Sequence, residues 1–152
     1  MMNEKLEDIL LKKGYLVTMP SGSSMLPLIR PDRDTVVIKR RIPKKYDVVL
    51  YKRDNGKYIL HRVLKIKDKE YVMCGDNQWK KEFGITEQQI LGVMDGFMLR
   101  LLLLLDGFYR DNKYIEISSY RYKLYVRFWC CFLWLRKMMI YLFKIVNELR
   151  HD

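Results

Sequence analysis

The strongest constraint on the fold is a run of short stretches of β-branched and aromatic residues separated by polar turns. Four of them follow one another, at residues 35–39, 47–51, 58–66 and 70–74. Such residues fit the pleated, half-buried surface of a sheet, and polar residues mark the place where one strand gives way to the next. The sequence therefore predicts a mainly β domain.

Turn and helix signals extend this prediction. Asn55 and Gly56 separate the second stretch from the third, and both tolerate the positive φ of a tight hairpin. An amphipathic pattern predicts a short N-terminal helix over residues 3–12, which Gly14 ends. Further strand candidates are residues 15–19, 90–99 and 114–117.

Composition limits the partners more than the chemistry. The 152 residues suffice for one compact domain with an appendage, and the formal net charge is +11. This charge predicts an acidic partner surface, either anionic lipid or nucleic acid. Cys74, Cys130 and Cys131 show neither a disulfide framework nor the Cys and His spacing of a zinc site. No motif indicates a metal or another cofactor.

The end of the chain differs in kind, which predicts a β domain over residues 1–120 and a basic, aromatic tail over 121–152. The tail has seven Lys or Arg against two acids. A wide apolar face with tryptophans and a basic stripe predicts an amphipathic helix over 121–150 that lies on an anionic membrane surface rather than on nucleic acid. The alternative is a helix packed on the domain or on another subunit.

Membrane association of this kind would be peripheral. The uncharged runs of the tail are shorter than the ~20 apolar residues of a spanning helix. The first thirteen residues are charged throughout and lack the apolar core of a secretory signal.

Ser24 is the first candidate for catalysis. It lies in a loop of turn-forming residues, beside Ser23 and two residues after Gly22. A serine in such a loop can project its hydroxyl while neighbouring main-chain N–H groups stay available to a developing oxyanion. The bland interpretation is an ordinary Ser-Gly-Ser loop.

His61 lies inside the third predicted strand. Because side chains alternate along a strand, it shares a face with Ile59 and Val63, while Arg62 points away. Partial burial disfavours the imidazolium and helps to keep His61 neutral, as a general base requires. The bland interpretation is a hydrogen-bonded core histidine.

Two acids could orient this histidine. Asp76 follows the strand at 70–74 and could fix the tautomer of His61, although Asp-Asn sequences also form simple turns. Glu82, six residues further on, is the second candidate, or else a solvated surface acid. The sequence leaves the choice open.

Together these segments resemble the type I signal peptidases, in the branch of the endoplasmic reticulum, archaea and some Gram-positive bacteria that uses histidine where other bacterial enzymes use lysine. The resemblance covers roughly residues 15–96. It rests on Ser24-Met25-Leu26-Pro27, Asp47-Val48-Val49, His61-Arg62-Val63 and Gly75-Asp76-Asn77, in that order.

The resemblance implies the roles of these residues. Ser24 falls at the nucleophile, His61 at the general base, Asp76 at the aspartate of the Gly-Asp-Asn segment, and Glu82 where the reticulum enzymes have another acid. It also implies a coiled-hairpin β fold shared with LexA-like repressors. The implied substrate is a leader or signal segment of a precursor protein, bound as an added strand with small residues before the cut.

The chain also departs from that family. The family normally carries an N-terminal membrane anchor, for which the basic tail could substitute. Some relatives have an oxyanion-donating serine at the position of Gly22. The expectation is a serine endopeptidase; the alternatives are a catalytically silent peptide- or membrane-binding module and a LexA-like self-cleaving protein.

Overall fold

The computed structural model describes residues 5–99, 113–131, 137–138 and 141–142, and it is mainly β. Two helices and one short 3-10 turn, Glu87–Gln89, accompany eight strands. The elements are α1 (Leu6–Lys13), β1 (Tyr15–Thr18), β2 (Thr35–Lys39), β3 (Val48–Lys52), β4 (Tyr58–Lys67), β5 (Glu70–Cys74), β6 (Glu82–Thr86), β7 (Ile90–Leu99), β8 (Lys113–Glu116) and α2 (Tyr120–Cys131).

The strands form one antiparallel sheet in the order β1-β2-β7-β3-β4-β5-β6, and β8 also pairs with β7. Three successive hairpins join β3 to β6. The long strand β7 returns to the middle and lies between β2 and β3. This arrangement brings residues far apart in sequence, on β3, β4 and the end of β5, to one region of the sheet.

The predicted β class is confirmed, and most strand positions agree to within a residue or two. The turn at Asn55 and Gly56 is confirmed as well, since Gly56 has φ 79° and the Arg53 N–H donates to the Lys57 carbonyl at 2.9 Å. Strand β6 was not predicted. Only Ile85 is buried in it and Gly84 interrupts it, so its sequence carries no alternating apolar pattern. The leucine run at 101–105 lies outside the described residues.

Neighbouring residues of β3 belong to two different apolar clusters. Val48 and Leu50 pack with residues of α1, β2, β7 and α2, whereas Val49 and Tyr51 pack with residues of β4, β5 and β6. Consecutive side chains of a strand point to opposite faces, so the middle of the sheet is covered on both sides.

Helix α2 packs against the first of these clusters. Tyr122, Val126 and Cys130, spaced four residues apart, are buried in it. This is the packing on the domain that the sequence left as an alternative to a membrane surface, and it holds for the described turns of the helix. Within the described residues, no helix combines the length and the apolar character that crossing a bilayer requires.

Candidate active site

Ser24 and His61 meet at Gly75, the residue that follows β5. A Cβ placed on Gly75 would lie 3.1 Å from His61 Nε2, 3.1 Å from Ser24 Cβ and 2.6 Å from the Ser24 carbonyl oxygen. Because glycine has no Cβ, the main chain can pass this close to both side chains. The structure therefore brings together the serine and the histidine that the sequence predicted as a pair.

The Ser24 hydroxyl and His61 Nε2 share no hydrogen bond among the contacts of the described residues. Contacts between a nucleophile and its base commonly tighten only when substrate is bound. Ser24 and His61 Nε2 are therefore neighbours at Gly75 without a direct hydrogen bond between them.

The loop that carries Ser24 is held at several points. Met25 and Ile29 anchor it in the apolar core, where they are 3% and 1% exposed. The Asn77 N–H donates to the Ser24 carbonyl at 2.8 Å. Among the described residues, nothing accepts a hydrogen bond from the main-chain N–H of Ser24 or Met25. These two donors stay available to an oxyanion.

Strand pairing places the imidazole of His61. His61 lies opposite Val49 on β3, on the same face as Ile59 and Val63, as the alternation predicted. Its side chain is 3% exposed. Burial of this degree holds the ring in one orientation, so that its two nitrogens face different surroundings.

The Nδ1 atom of His61 contacts two oxygen atoms. The Tyr51 hydroxyl lies 3.1 Å away and Glu82 Oε1 lies 3.2 Å away, while the Tyr51 hydroxyl donates to Glu82 Oε2 at 3.0 Å. With the Tyr51 hydrogen directed to Glu82, the remaining lone pair of the hydroxyl and the carboxylate both accept from Nδ1–H. This network favours the tautomer with the proton on Nδ1, which leaves Nε2 unprotonated on the side of Ser24.

Arg53 holds Glu82 from the other side. Its Nε donates to Glu82 Oε2 at 2.9 Å and its Nη2 donates to Oε1. Partial burial raises the pKa of Glu82, but hydrogen bonds from Arg53 and Tyr51 lower it by more, so the net pKa is lowered. Burial and the charge of Glu82 raise the pKa of Tyr51. Glu82 is therefore a carboxylate and Tyr51 a neutral donor near pH 7.

Burial has the largest effect on the pKa of His61 and lowers it. The carboxylate of Glu82 raises this pKa and the charge of Arg53 lowers it, and the net direction is below the ordinary value of 6.5. A neutral imidazole near pH 7 is what general-base chemistry requires.

Asp76 occupies a different place from Glu82. Its carboxylate accepts two hydrogen bonds from Arg62, at 2.8 Å from Nε and 2.6 Å from Nη2, and both side chains are 0% exposed. Of the two acids that the sequence left open, Glu82 makes the contact with His61 and Asp76 makes the contact with Arg62.

Arg62 points to the face opposite His61, as the alternation of side chains along the strand predicted. Helix α2 covers that face, and Arg62 is buried there. Its Nη1 donates to the Tyr46 carbonyl at 2.8 Å and to the Tyr122 hydroxyl at 3.2 Å. Burial lowers the pKa of Arg62 and the Asp76 carboxylate raises it by more, so Arg62 stays charged.

A small cleft, partly open to solvent, lies beside Ser24. One wall is the loop from Pro20 to Met25, and the other is the start of β4, from Tyr58 to Leu60. Over residues 58–61, β4 pairs with β3 alone among the described strands, because its pairing with β5 begins at Arg62. One edge of β4 therefore has unpaired main-chain groups next to the cleft.

Sequence reasoning missed two residues of this site, Tyr51 and Arg53, and it did not predict the close approach of the main chain at Gly75. Tyr51 reads as an ordinary strand aromatic and Arg53 as a turn residue. The signal that could have found them is the hairpin at Gly56, which pairs Tyr51 with Ile59 and so sets Tyr51 two residues from His61 across the strands. Comparison with protein-family models, curated proteins and solved structures gave no match to this chain.

Proposed function

We propose that this protein is a serine endopeptidase of the signal-peptidase type, in which Ser24 is the nucleophile and His61 the general base. The observation that carries the proposal is the meeting of Ser24 and His61 Nε2 at Gly75, with Nδ1 of the same ring held by Glu82 and Tyr51. A core histidine held only for packing would not account for a serine close to Nε2 together with a carboxylate in contact with Nδ1.

Acylation follows from these positions. His61 Nε2 takes the proton of the Ser24 hydroxyl as the serine oxygen bonds to the substrate carbonyl carbon. The imidazolium that forms is stabilised by Glu82 through Nδ1–H. The carbonyl oxygen becomes an oxyanion, for which the N–H groups of Ser24 and Met25 are the available donors. Nε2–H then protonates the departing amine as the C–N bond breaks.

Deacylation repeats the sequence with water. Nε2 accepts a proton from a water molecule as its oxygen attacks the acyl carbon, and it returns the proton to Ser24 as the ester bond breaks. Throughout, Glu82 keeps its charge and fixes the ring, the orienting role of the acid in a triad. Asp76, whose carboxylate is taken up by Arg62, supports the site without contacting the reacting atoms.

The cleft and the edge of β4 suit an extended peptide substrate. Such a peptide adds to an open strand edge through main-chain hydrogen bonds, and its alternate side chains enter pockets. The pocket beside Ser24 is lined by Met25, Ile29 and Leu60, which favours a small apolar side chain before the cut. A leader or signal segment of a precursor protein has this chemistry.

The finer fold belongs to the same proposal. The motif residues converge on one place in an antiparallel sheet built from successive hairpins, which supports the resemblance to the signal-peptidase and LexA-like β fold. Peripheral association with an anionic membrane through residues 121–150 is also proposed. Leu124, Phe128, Tyr141 and Leu142 are at least half exposed in that stretch, and several basic residues accompany them.

Cleavage of a leader peptide by the purified protein tests the proposal. Ser24→Ala should abolish the cut, whereas Ser23→Ala, an exposed neighbour in the same loop, should leave it intact. A fluorophosphonate probe should label the wild type and Ser23→Ala but not Ser24→Ala. Cleavage that persists in Ser24→Ala would show that another group is the nucleophile, and an inert wild type would favour a silent binding module.

A further inference from the structure

Helix α2 reaches the short segment that separates Ser24 from His61. Trp129 Nε1 donates a hydrogen bond to the main-chain carbonyl of Asp76 at 3.1 Å. Tyr122 lies on the buried face of the helix and is 8% exposed, and its hydroxyl accepts a hydrogen bond from Arg62. Both contacts come from the helix that follows the sheet in sequence, and among the described residues neither side chain forms a hydrogen bond with Ser24 or His61.

The segment that Trp129 contacts, residues 75–77, also contacts Ser24 and His61. Gly75 lies directly against Ser24 and His61 Nε2, and the Asn77 N–H holds the Ser24 carbonyl at 2.8 Å. Asp76 stands between these two residues. A displacement of the main chain at Asp76 would therefore shift Gly75, which contacts both Ser24 and His61.

The side chain of Asp76 gives the helix a second route to the same segment. Asp76 is fixed by Arg62, the residue that follows His61 on β4, and Arg62 is in turn bonded to Tyr122. The helix thus contacts Asp76 at its main-chain oxygen directly and at its carboxylate through Arg62. Stacking of Trp129 on Tyr125, at a ring separation of 5.7 Å, sets the indole in place.

From these contacts we propose that Trp129 and Tyr122 are positioning residues and that docking of α2 sets the geometry of the Ser24–His61 pair. The inference rests on the proposed function for its catalytic meaning. The helix is then a working part of the active site rather than only a tail. When α2 is docked on the sheet, the segment from Gly75 to Asn77 holds Ser24 and His61 in place. When α2 detaches, this segment becomes looser and the rate of cleavage falls.

The first test is kinetic. Trp129→Phe keeps an aromatic ring and removes the indole N–H, and Tyr122→Phe removes only the hydroxyl. At a temperature where each protein is fully folded, each variant should lower kcat about fivefold, the effect of one neutral hydrogen bond, with KM within about twofold of the wild type. The matched controls are Trp79→Phe and Tyr120→Phe, the same changes at side chains 70% and 78% exposed.

A second measurement does not depend on catalysis. Hydrogen exchange of the Asn77 amide, which is bonded to the Ser24 carbonyl, should accelerate about tenfold or more in Trp129→Phe and stay unchanged in the two controls. A merely structural role would lower the melting temperature without changing kcat or this exchange rate in the folded protein.

The outcomes separate the two proposals. Wild-type kcat and wild-type Asn77 exchange in both Trp129→Phe and Tyr122→Phe would overturn the coupling, whatever the activity of the protein. A different result is a wild type that neither cleaves peptides nor reacts with the serine probe, while exchange still accelerates in Trp129→Phe. The peptidase proposal then fails, and α2 is coupled to the Asn77 segment without a role in catalysis.

Discussion

The two faces of strand β4 carry neighbouring residues in opposite situations. His61 faces a network with Tyr51 and the partly exposed Glu82, in which an acid, a base and a hydroxyl share hydrogen bonds. Arg62, the next residue, faces Asp76 in a pair that is closed to solvent on every side. One step along the strand separates a partly exposed hydrogen-bond network from a fully buried ion pair.

Under the proposed function, this difference assigns chemistry to one face of the sheet and support to the other. In the proposed mechanism His61 gains and loses a proton. It therefore needs neighbours whose charges balance each other, as those of Arg53 and Glu82 do. A fully buried ion pair keeps both charges, since either one alone would be very costly in the interior. The comparison therefore predicts that changes on the His61 face act mainly on rates, and that loss of a charge from the Arg62–Asp76 pair acts most strongly on stability.

The largest expected effect is on the Arg62 face. Arg62→Met leaves the Asp76 carboxylate buried without its partner and should lower the free energy of unfolding by about 3–5 kcal/mol in chemical denaturation. The double variant Arg62→Met/Asp76→Leu removes both charges and should recover much of that loss. Equal instability of the single and double variants would mean that packing, not the unpaired charge, dominates this face.

On the His61 face, Glu82→Gln should lower kcat about 100-fold or more, because the imidazolium loses its carboxylate partner. The free energy of unfolding should change by no more than about 1 kcal/mol, since the side chain is partly exposed. Asp95→Asn, at an ion pair with Lys39 of similar exposure, is the matched control. Loss of kcat in a fully folded Asp76→Asn protein, with Glu82→Gln active, would reverse the assignment of the two acids.

Tyr51→Phe sharpens the comparison by removing a single hydroxyl from the His61 network. One hydrogen bond to Glu82 and one contact with Nδ1 are lost, so kcat/KM should fall about tenfold. Tyr71→Phe, a buried tyrosine of the same apolar cluster, should stay close to the wild type. A Tyr51→Phe rate equal to that of the wild type would mean that Glu82 alone fixes the ring.

The smallest effect concerns pH. Because the pKa of His61 is lowered, the acid limb of the kcat/KM profile should lie below pH 6.5. Arg53→Gln removes a cation that disfavours the imidazolium, so the limb should move to higher pH, while Arg33→Gln leaves it in place. An unchanged or lowered limb in Arg53→Gln would contradict this electrostatic account.

The same lowered pKa affects the stability of the fold. As pH falls below 6.5, His61 takes up a proton in the unfolded chain before it does so in the folded one. Its contribution to the free energy of unfolding should therefore decrease over that range and level off below the folded pKa. Titration of stability for the wild type and His61→Gln separates this contribution from those of other groups.

Much of the sheet was predictable because most of its strands have β-branched or aromatic residues and are bounded by turn-forming residues. Strands such as Thr35–Lys39 and Glu70–Cys74 have strong patterns, whereas β6, with a single buried residue, has none. Ser24 and His61 were predictable through their motifs. The choice between Asp76 and Glu82 was not, because it depends on which face of β4 each acid reaches once β5 and β6 have folded back.

The cover over Arg62 was equally out of reach. Alternation correctly placed Arg62 opposite His61, but nothing in residues 58–67 says that a helix beginning at Tyr120 will cover that face. The direction of a side chain follows from its place in the strand, whereas what covers that side chain depends on tertiary packing.

One edge of strand β4 pairs with β5 only from Arg62 onward, and under the proposed function this would limit how far a peptide can extend along the strand. A peptide that lies along residues 58–61 can form main-chain hydrogen bonds only until Arg62, where Cys74 of β5 already occupies the edge. A substrate peptide entering the cleft would meet β5 at this point. The last residues of such a peptide that pair with β4 would lie beside the His61 imidazole. The position of the cut would therefore depend on where the pairing of β4 with β5 begins.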